Sequence, residues 1–525
     1  MIAEYAESPV CRVDEMADGE LREVRVEDTD VLLARANGQF YALHPKCSHY
    51  EGPLAKGVLH GNRLICPWHN ACFDVRNGQR LESPALNGLT THEVRIENEQ
   101  VFVRLTSNVP SRENPLVAPE EENPETFVII GSGGAGAFAA EALREGGFTG
   151  KIVMLTESGE APYDRPNCSK EYLQGKAPDE WMPLRTDEFY ADYGIEIRTG
   201  QHVTSLDPAA KRIGLASGDT LTYTKALVCS GGKPNVLPVP GAELEGVYPL
   251  RTLHDSQKLR ELGKQGKRVV IIGSSFIGLE GAMSLRKLGS EVDVVGLEKV
   301  PFEKILGEKI GRVMQGWHEK EGIRFHLGRK VDQFKGNGSV NAVVLDNGEK
   351  LPADFVLVGL GVKPRTDFLK DIALEKDGGV KTDGFLQIAE GLYAAGDIAH
   401  YPTDDGLQRI EHWKVAGLQG HVAGLNMAGN EEPYRSVPFF WTNQQGKRIN
   451  YVGHATKIDD IIYDGDPEND DNFLALYVQD NQIKAAAGLK RDQDIIAIRE
   501  LMQEGRMPSV EDARKGVEWV KELTV

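Results

Sequence analysis

The sequence predicts a multidomain protein: a small all-β domain, two α/β domains built to one plan, and an α+β domain at the carboxyl end. Three observations predict it. Short alternating strands broken by Asn-Gly turns fill roughly the first hundred residues, a strand, glycine turn, helix, strand unit then occurs twice, and strand-like runs with one helix return after residue 433. At 525 residues the chain has room for three or four domains, each with its own core.

Residues 1–106 read as the antiparallel domain. "VLLARANGQFYAL" and "FDVRNGQRL" each set Asn-Gly between strand-like flanks, the strongest short-range hairpin signal. Two loops here carry candidate metal ligands. "CSHYEGPL" at 47–54 supplies Cys47 and His49, and after sixteen intervening residues "CPWHNACF" at 66–73 supplies Cys66 and His69. Two thiolates and two imidazoles fit an iron-sulfur site, a zinc site or no site at all. Zinc fingers usually give a cysteine pair and then a histidine pair. Here each loop gives one of each, which suits a two-iron cluster with both sulfurs on one iron and both imidazoles on the other. Cys72 has no such partner and reads as a small buried apolar residue.

Residues 107–125 read as a linker, because "SNVPSRENPLVAPEEENPET" is rich in Pro, Asn and Glu and poor in apolar residues. The texture then changes. "TFVIIGSGGAGAFAAEALREGGFTGKIVMLTE" places Gly131, Gly133 and Gly136 after a strand, and Glu157 ends the next strand 21 residues after the last glycine. In that setting the glycines let backbone amides approach a pyrophosphate at a helix N-terminus, and the carboxylate can hold a ribose.

"KRVVIIGSSFIGLEGAMSLRKLGSEVDVVGLE" repeats the plan with Gly273, Gly278 and Glu298, and with Ser275 where the middle glycine is usual. Gly296 stands where an acid often ends the strand, and no arginine is close by in sequence to meet a 2′-phosphate, which favours NADH over NADPH. Two Rossmann-like dinucleotide sites in one chain imply a bound flavin, FAD, and an exchangeable nicotinamide.

Residues 433–525 return to strands, "FFWTNQQGKRINYVG" and "NFLALYVQDNQIKAAAGL", with a helix expected near 491–504. "DGDPENDD" starts like a calcium loop at Asp464, but Asn469 and Ala475 stand where glycine and glutamate belong, so it reads as a solvated loop. His412, His421 and His454 show no ligand spacing and read as structural or surface residues.

Composition narrows the function classes. With 40% hydrophobic and 26% charged residues the chain looks like an ordinary soluble protein, its start lacks the pattern of a secretion signal, and no membrane insertion is expected. Six cysteines in so long a chain do not make a disulfide scaffold, and a reducing, cytoplasmic location is expected. The net charge of −19 repels polyphosphate backbones and argues against nucleic acid or anionic membranes as partners.

The first hundred or so residues resemble the Rieske family, with Cys47, His49, Cys66 and His69 at its ligand positions. High-potential members join an extra cysteine from each loop in a disulfide. Gly52 and Trp68 stand there instead, so the resemblance implies the ferredoxin-like, lower-potential branch.

"LYAAGDIA" at 392–399 resembles the segment of two-dinucleotide-binding flavoproteins whose aspartate, here Asp397, holds the flavin ribityl chain. The resemblance implies a flavin domain in two parts, 126–250 and 373–432, with a nicotinamide domain at 251–372 inserted between them. "ALVCSGGKP" and "VLVGLGVKP" look like the connecting strands of that family, with Asn235 where an arginine is common.

"PYDRPNCSK" at 162–170 is similar to a segment of the apoptosis-inducing-factor and oxygenase-coupled ferredoxin reductase branch. That likeness implies that Arg165 contacts the flavin and that Lys170 lies near its ring, paired with Glu280; Lys170 and Glu280 are the expected catalytic pair. A cation by the flavin stabilises its reduced form and a carboxylate fixes the cation. Two solvated charges on separate helices are the plainer alternative. Trp413, in Glu411-His412-Trp413, matches a ring placed by the flavin or else a packed core residue, and Val203 joins the expected cofactor contacts.

Over nearly all 525 residues the chain resembles the apoptosis-inducing-factor-3-like family. The resemblance implies electron flow from NADH through FAD to the chain's own [2Fe-2S] cluster and on to an external acceptor, a protein or a small molecule. Cys168 stands where leucine is usual, which keeps open a disulfide or peroxide reductase with Cys168 as nucleophile. A redox-responsive protein that binds a partner is a third reading. Oligomeric state is left open.

Overall fold

The computed structural model describes residues 7–108 and 115–523. The first domain has a six-stranded antiparallel sheet in the order Glu7–Arg12, Gln100–Asn108, Thr91–Glu97, Gln39–Leu43, Thr29–Ala36 and Leu21–Val26. A second sheet, Val58–His60, Arg63–Ile65, Cys72–Asp74 and Arg80–Glu82, shares its core through Leu32, Leu43, Leu64 and Phe73. Both Asn-Gly stretches are turns between neighbouring strands, as their left-handed preference dictates.

The last strand of the first sheet reaches Asn108, past the edge expected at 106, and residues 109–114 of the expected linker lie outside the described residues. Its second half is fastened down rather than free. Val117 N donates to Arg144 O at 3.1 Å and Glu120 N to Thr149 O at 2.9 Å.

The first α/β domain is a sheet in the order Ile195–Arg198, Lys151–Leu155, Thr126–Ile130, Lys225–Val228, Leu392–Ala394 and Gln387–Ala389, parallel except for the last. Its central strands Thr126–Ile130 and Lys151–Leu155 are apolar along nearly all their length because both faces are covered. The helices Gly134–Glu145 and Trp413–Ala428 pack backbone to backbone; a Cβ on Gly420 would stand 2.0 Å from Ala135 O.

The second α/β domain is a parallel sheet, Val247–Pro249, Phe355–Val358, Arg268–Ile272, Glu291–Gly296 and Arg324–Leu327. The sequence reading put residues 247–249 in the first α/β domain. They pair instead with Phe355–Val358, since Val247 and Tyr248 are the residues that extend this apolar edge. Leu392–Ala394 lies beside Lys225–Val228, so the second domain is inserted in the first, and the connecting strands Gly232–Pro234 and Val362–Pro364 pair with each other.

The C-terminal domain is a five-stranded antiparallel sheet, Phe439–Gln444, Lys447–Gly453, Gln482–Leu489, Phe473–Gln479 and Asp460–Asp464, with the helix Asp492–Glu504 against it. Val58, Ile65 and Cys72 of the first domain enter the same apolar core as Val452, Leu474, Ile495 and Leu501. No described helix is long and apolar enough to cross a membrane.

Candidate active site

Backbone bonds shape the two cysteine-histidine loops. Cys47 N donates to Gly52 O at 2.9 Å, and Cys66 N donates to Ala71 O at 2.8 Å. The closed loops bring His49 Nδ1 within 3.0 Å of His69 Nδ1. The Cys47 thiol donates to the Cys66 sulfur, which raises the pKa of Cys47 and lowers that of Cys66. Burial pushes His49 down to about 3 and His69 well below the ordinary imidazole value, so both rings are neutral at pH 7.

Among the described residues no three such side chains converge on one point, as a single tetrahedral zinc needs. The sulfurs and the ring nitrogens converge as separate pairs, which fits two irons with a pair on each. Gly52 packs against this site; a Cβ there would stand 2.9 Å from Cys66 Sγ.

The histidines face the rest of the chain. The Trp441 ring, on the C-terminal strand Phe439–Gln444, has its centroid 4.3 Å from that of His69, and the Tyr50 ring lies 4.3 Å from His49. Tyr50 Oη donates to Asp164 of the segment Pro162–Lys170. Sequence reasoning missed Trp441; its signal was the aromatic run before a hairpin turn.

At the first glycine turn, a Cβ on Gly131 would stand 2.2 Å from Cys229 O, and one on Gly136 2.0 Å from Gly131 O, while Gly133 faces open space. The helix Gly134–Glu145 has no side-chain cap at its N-terminus. Its leading amides are therefore free for a phosphate. The Trp413 ring overlies this end, 3.2 Å from where a Gly134 Cβ would be. Glu157 is pushed up by burial but pulled further down by Arg365 and His202, so its carboxyl stays ionised.

Asp397 Oδ2 accepts from Arg251 at 2.7 Å, and Arg251 O accepts from Arg165 at 2.7 Å. Arg251 was not singled out in the sequence. Asn235 spends its amide on Leu360 O at 3.0 Å. Gln419 Nε2 and His412 Nδ1 are buried without a hydrogen-bond partner, the mark of a cavity built for a polar group. These features fit FAD. Val203 lies among the apolar side chains of Ile213 and Leu215.

Lys170 Nζ and Glu280 Oε2 form a buried ion pair, with their side chains 11% and 2% exposed, so the reading of two solvated charges does not hold. Glu280 also accepts from Ser169 Oγ at 2.5 Å and, on its other oxygen, from Thr442 Oγ1 at 2.8 Å. One carboxylate thus ties the first α/β domain and the C-terminal sheet to the second α/β domain.

In the second glycine turn Ser275 Oγ accepts from Gly278 N at 3.2 Å and donates to Gly359 O at 2.9 Å, which explains how serine replaces the middle glycine. A Cβ on Gly278 would stand 2.2 Å from Gly273 O. Glu298 lies 3.8 Å from Lys304 Nζ. The backbone of Arg329 lies beside this strand end, its N donating to Gly296 O at 3.0 Å.

A second missed feature is Glu82, at the meeting of three domains. Its carboxylate takes Lys414 Nζ at 2.8 Å and Arg499 at 3.0 Å, together with Arg63. Lys414 Nζ also donates to Ser83 O at 2.9 Å and to Asn70 O, beside His69. Cys168 is 3% exposed, and burial pushes its thiol up to about 12.

The paired thiols and imidazoles, the two glycine turns and the buried lysine-glutamate pair together define an oxidoreductase using FAD, NAD(P)H and a [2Fe-2S] cluster. The chain belongs to the pyridine nucleotide-disulphide oxidoreductase family, whose model matches residues 125–420, with a Rieske [2Fe-2S] domain at 6–93 and a reductase C-terminal domain at 439–523. Within it, the chain belongs with the apoptosis-inducing-factor-3-like proteins: Apoptosis-inducing factor 3 of Homo sapiens is 35% identical over 515 residues, 95% of this chain and 84% of that protein.

The biphenyl dioxygenase system ferredoxin-NAD(+) reductase component of Paraburkholderia xenovorans (strain LB400) is 31% identical, covering 70% of this chain and 91% of its own. Among solved structures, the covalent putidaredoxin reductase-putidaredoxin complex is similar with a TM-score of 0.72 and 27% identity, over 77% of this chain and 99% of that one.

Proposed function

We propose that the chain carries electrons from NADH through FAD to its own [2Fe-2S] cluster and on to an external acceptor, a protein or a small molecule. The observation that carries this reading is the facing of the cluster ligands: His69 lies against Trp441 and His49 against Tyr50, which bonds to the segment bearing Arg165 and Lys170. FAD supplies the change from two-electron to one-electron transfer, which nicotinamide alone cannot make.

The residues serve that flow in distinct ways. Gly131, Gly133 and Gly136 open a helix N-terminus to the pyrophosphate, and Glu157 and Asp397 offer acceptors for its sugar and ribityl hydroxyls. Lys170 keeps a cation by the flavin and Glu280 holds it there. Gly273, Gly278 and Glu298 take the nicotinamide dinucleotide. The buried, protonated Cys168 thiol speaks against a reductase that uses it as nucleophile. The unpaired cysteines suit a reducing compartment, and we place the protein in the cytoplasm.

Anaerobic addition of NADH to the fully loaded protein tests the reading. Flavin bleaching followed by the EPR signal of a reduced Rieske cluster is expected. A bleached flavin beside a cluster that stays oxidised would reject it.

A further inference from the structure

Asp164 is a carboxylate only 7% exposed, and among the described residues no cation lies within salt-bridge distance of it. A buried carboxylate without a counter-ion is costly unless hydrogen bonds satisfy it. The side-chain bond it does receive comes from another domain: Tyr50 Oη donates to Asp164 Oδ2. Asn167 Nδ2 donates to Tyr50 Oη in turn at 3.3 Å, and Asn167 Oδ1 accepts from Tyr172 N at 3.0 Å, which anchors the receiving loop.

Tyr50 follows His49 directly, and its ring stands edge-on to His49 at 4.3 Å and to His69 at 5.8 Å. Asp164 precedes Arg165, at the start of the turn Arg165–Ser169 that leads to Lys170. The two loops joined by this hydrogen bond therefore hold both imidazoles at one end and the Arg165 and Lys170 cations at the other. Tyr50 takes both bonds of this junction, to Asp164 and from Asn167, while the Glu82 cluster joins the domains through other residues.

We infer that Tyr50 is a positioning residue for electron transfer, which fixes the cluster loop against the flavin-side loop through its hydrogen bond to Asp164. The inference rests on the proposed flow from flavin to cluster. It needs no redox change at the phenol, which acts through its hydrogen bonds alone. Asp164 is the acceptor through which it acts, so the two residues form one unit.

The test uses the full-length loaded protein as wild type, Tyr50→Phe, Asp164→Asn and the double variant. Stopped-flow absorbance and rapid-freeze EPR follow flavin and cluster reduction by NADH, and redox titration gives the cluster midpoint potential. Tyr50→Phe keeps the ring and removes the hydroxyl that donates to Asp164 and accepts from Asn167. Cluster reduction is expected to slow about tenfold, as small misplacements do, with flavin reduction and midpoint potential unchanged. Hydrogen exchange in residues 164–170 of the oxidised protein is expected to quicken. The double variant is expected to be no slower than the worse single variant.

A wild-type rate of cluster reduction in Tyr50→Phe, or losses that add in the double variant, would overturn the inference. If NADH leaves the wild-type cluster oxidised, the underlying proposal fails instead, and hydrogen exchange still decides whether Tyr50 fixes the loop.

Discussion

Lys170 Nζ lies 2.8 Å from Glu280 Oε2, and the bond crosses from the end of the turn Arg165–Ser169 to the helix Phe276–Lys287 that follows the second glycine turn. A cation placed by a carboxylate on the neighbouring domain depends on how those domains sit. Glu280→Gln is expected to keep FAD bound while slowing its reduction by NADH about tenfold, equivalent to about 1.4 kcal/mol of barrier. Stopped-flow bleaching of the flavin band measures this, and an unchanged rate removes the pair from the mechanism.

Glu82 yields a pH prediction. Burial pushes its carboxyl up, but Arg499, Lys414 and Arg63 together hold it well below the usual 4.5. The folded protein keeps the carboxylate ionised where the unfolded chain takes up a proton, so its stabilisation is complete above about pH 4.5 and is lost as pH falls below that. At pH 7 Glu82→Gln leaves the buried Lys414 without its carboxylate and Arg499 and Arg63 with Glu500 alone, and is expected to cost about 3–5 kcal/mol. Thermal unfolding from pH 7 to pH 3 should show the gap between wild type and variant shrinking with acid.

His69→Cys is expected to lower the cluster potential by roughly 100 mV or more, because a thiolate puts more negative charge on its iron than a neutral imidazole does. Redox titration followed by EPR reads the shift. A potential equal to that of wild type would mean that His69 is not a ligand.

Cys168, with its thiol at about 12, is expected to resist thiol reagents at pH 8 in the folded protein and to react only on denaturation. Cys168→Ser should leave electron flow from NADH to the cluster unaltered. Loss of turnover with a disulfide or peroxide in Cys168→Ser, with flow to the cluster intact, would revive the nucleophile reading.

Glu298, with Lys304 Nζ at 3.8 Å, is the acid expected to set the choice between nicotinamides. Glu298→Ser is expected to raise kcat/KM for NADPH about tenfold and to lower that for NADH, through roughly 1.4 kcal/mol of lost ribose contact and relieved repulsion. Steady-state assays with both donors decide it.

How far the sequence carried the reading depended on the span of each feature. The glycine turns and the cysteine-histidine loops are local, so spacing alone exposed them, and Asn-Gly announced its hairpins. Juxtapositions between distant segments left no such trace. Lys414 looks like a solvated helix charge until Glu82 and Asn70, more than three hundred residues earlier, close around it. The backbone of Arg329 comes beside Gly296 only because Arg324–Leu327 pairs with Glu291–Gly296. The strand Val247–Pro249 was misplaced for the same reason, since three residues declare no sheet.

Because Val58, Ile65 and Cys72 share a core with Val452, Leu474, Ile495 and Leu501, the cysteine-histidine loops are seated on the reductase part of the same chain. Systems with donor and acceptor on separate molecules must meet by diffusion, and dilution or salt weakens the encounter. Carrying the pair on one chain gives an effective concentration on the order of millimolar or above. Electron hand-over within one molecule should then be first order, indifferent to how crowded or how saline the surroundings are.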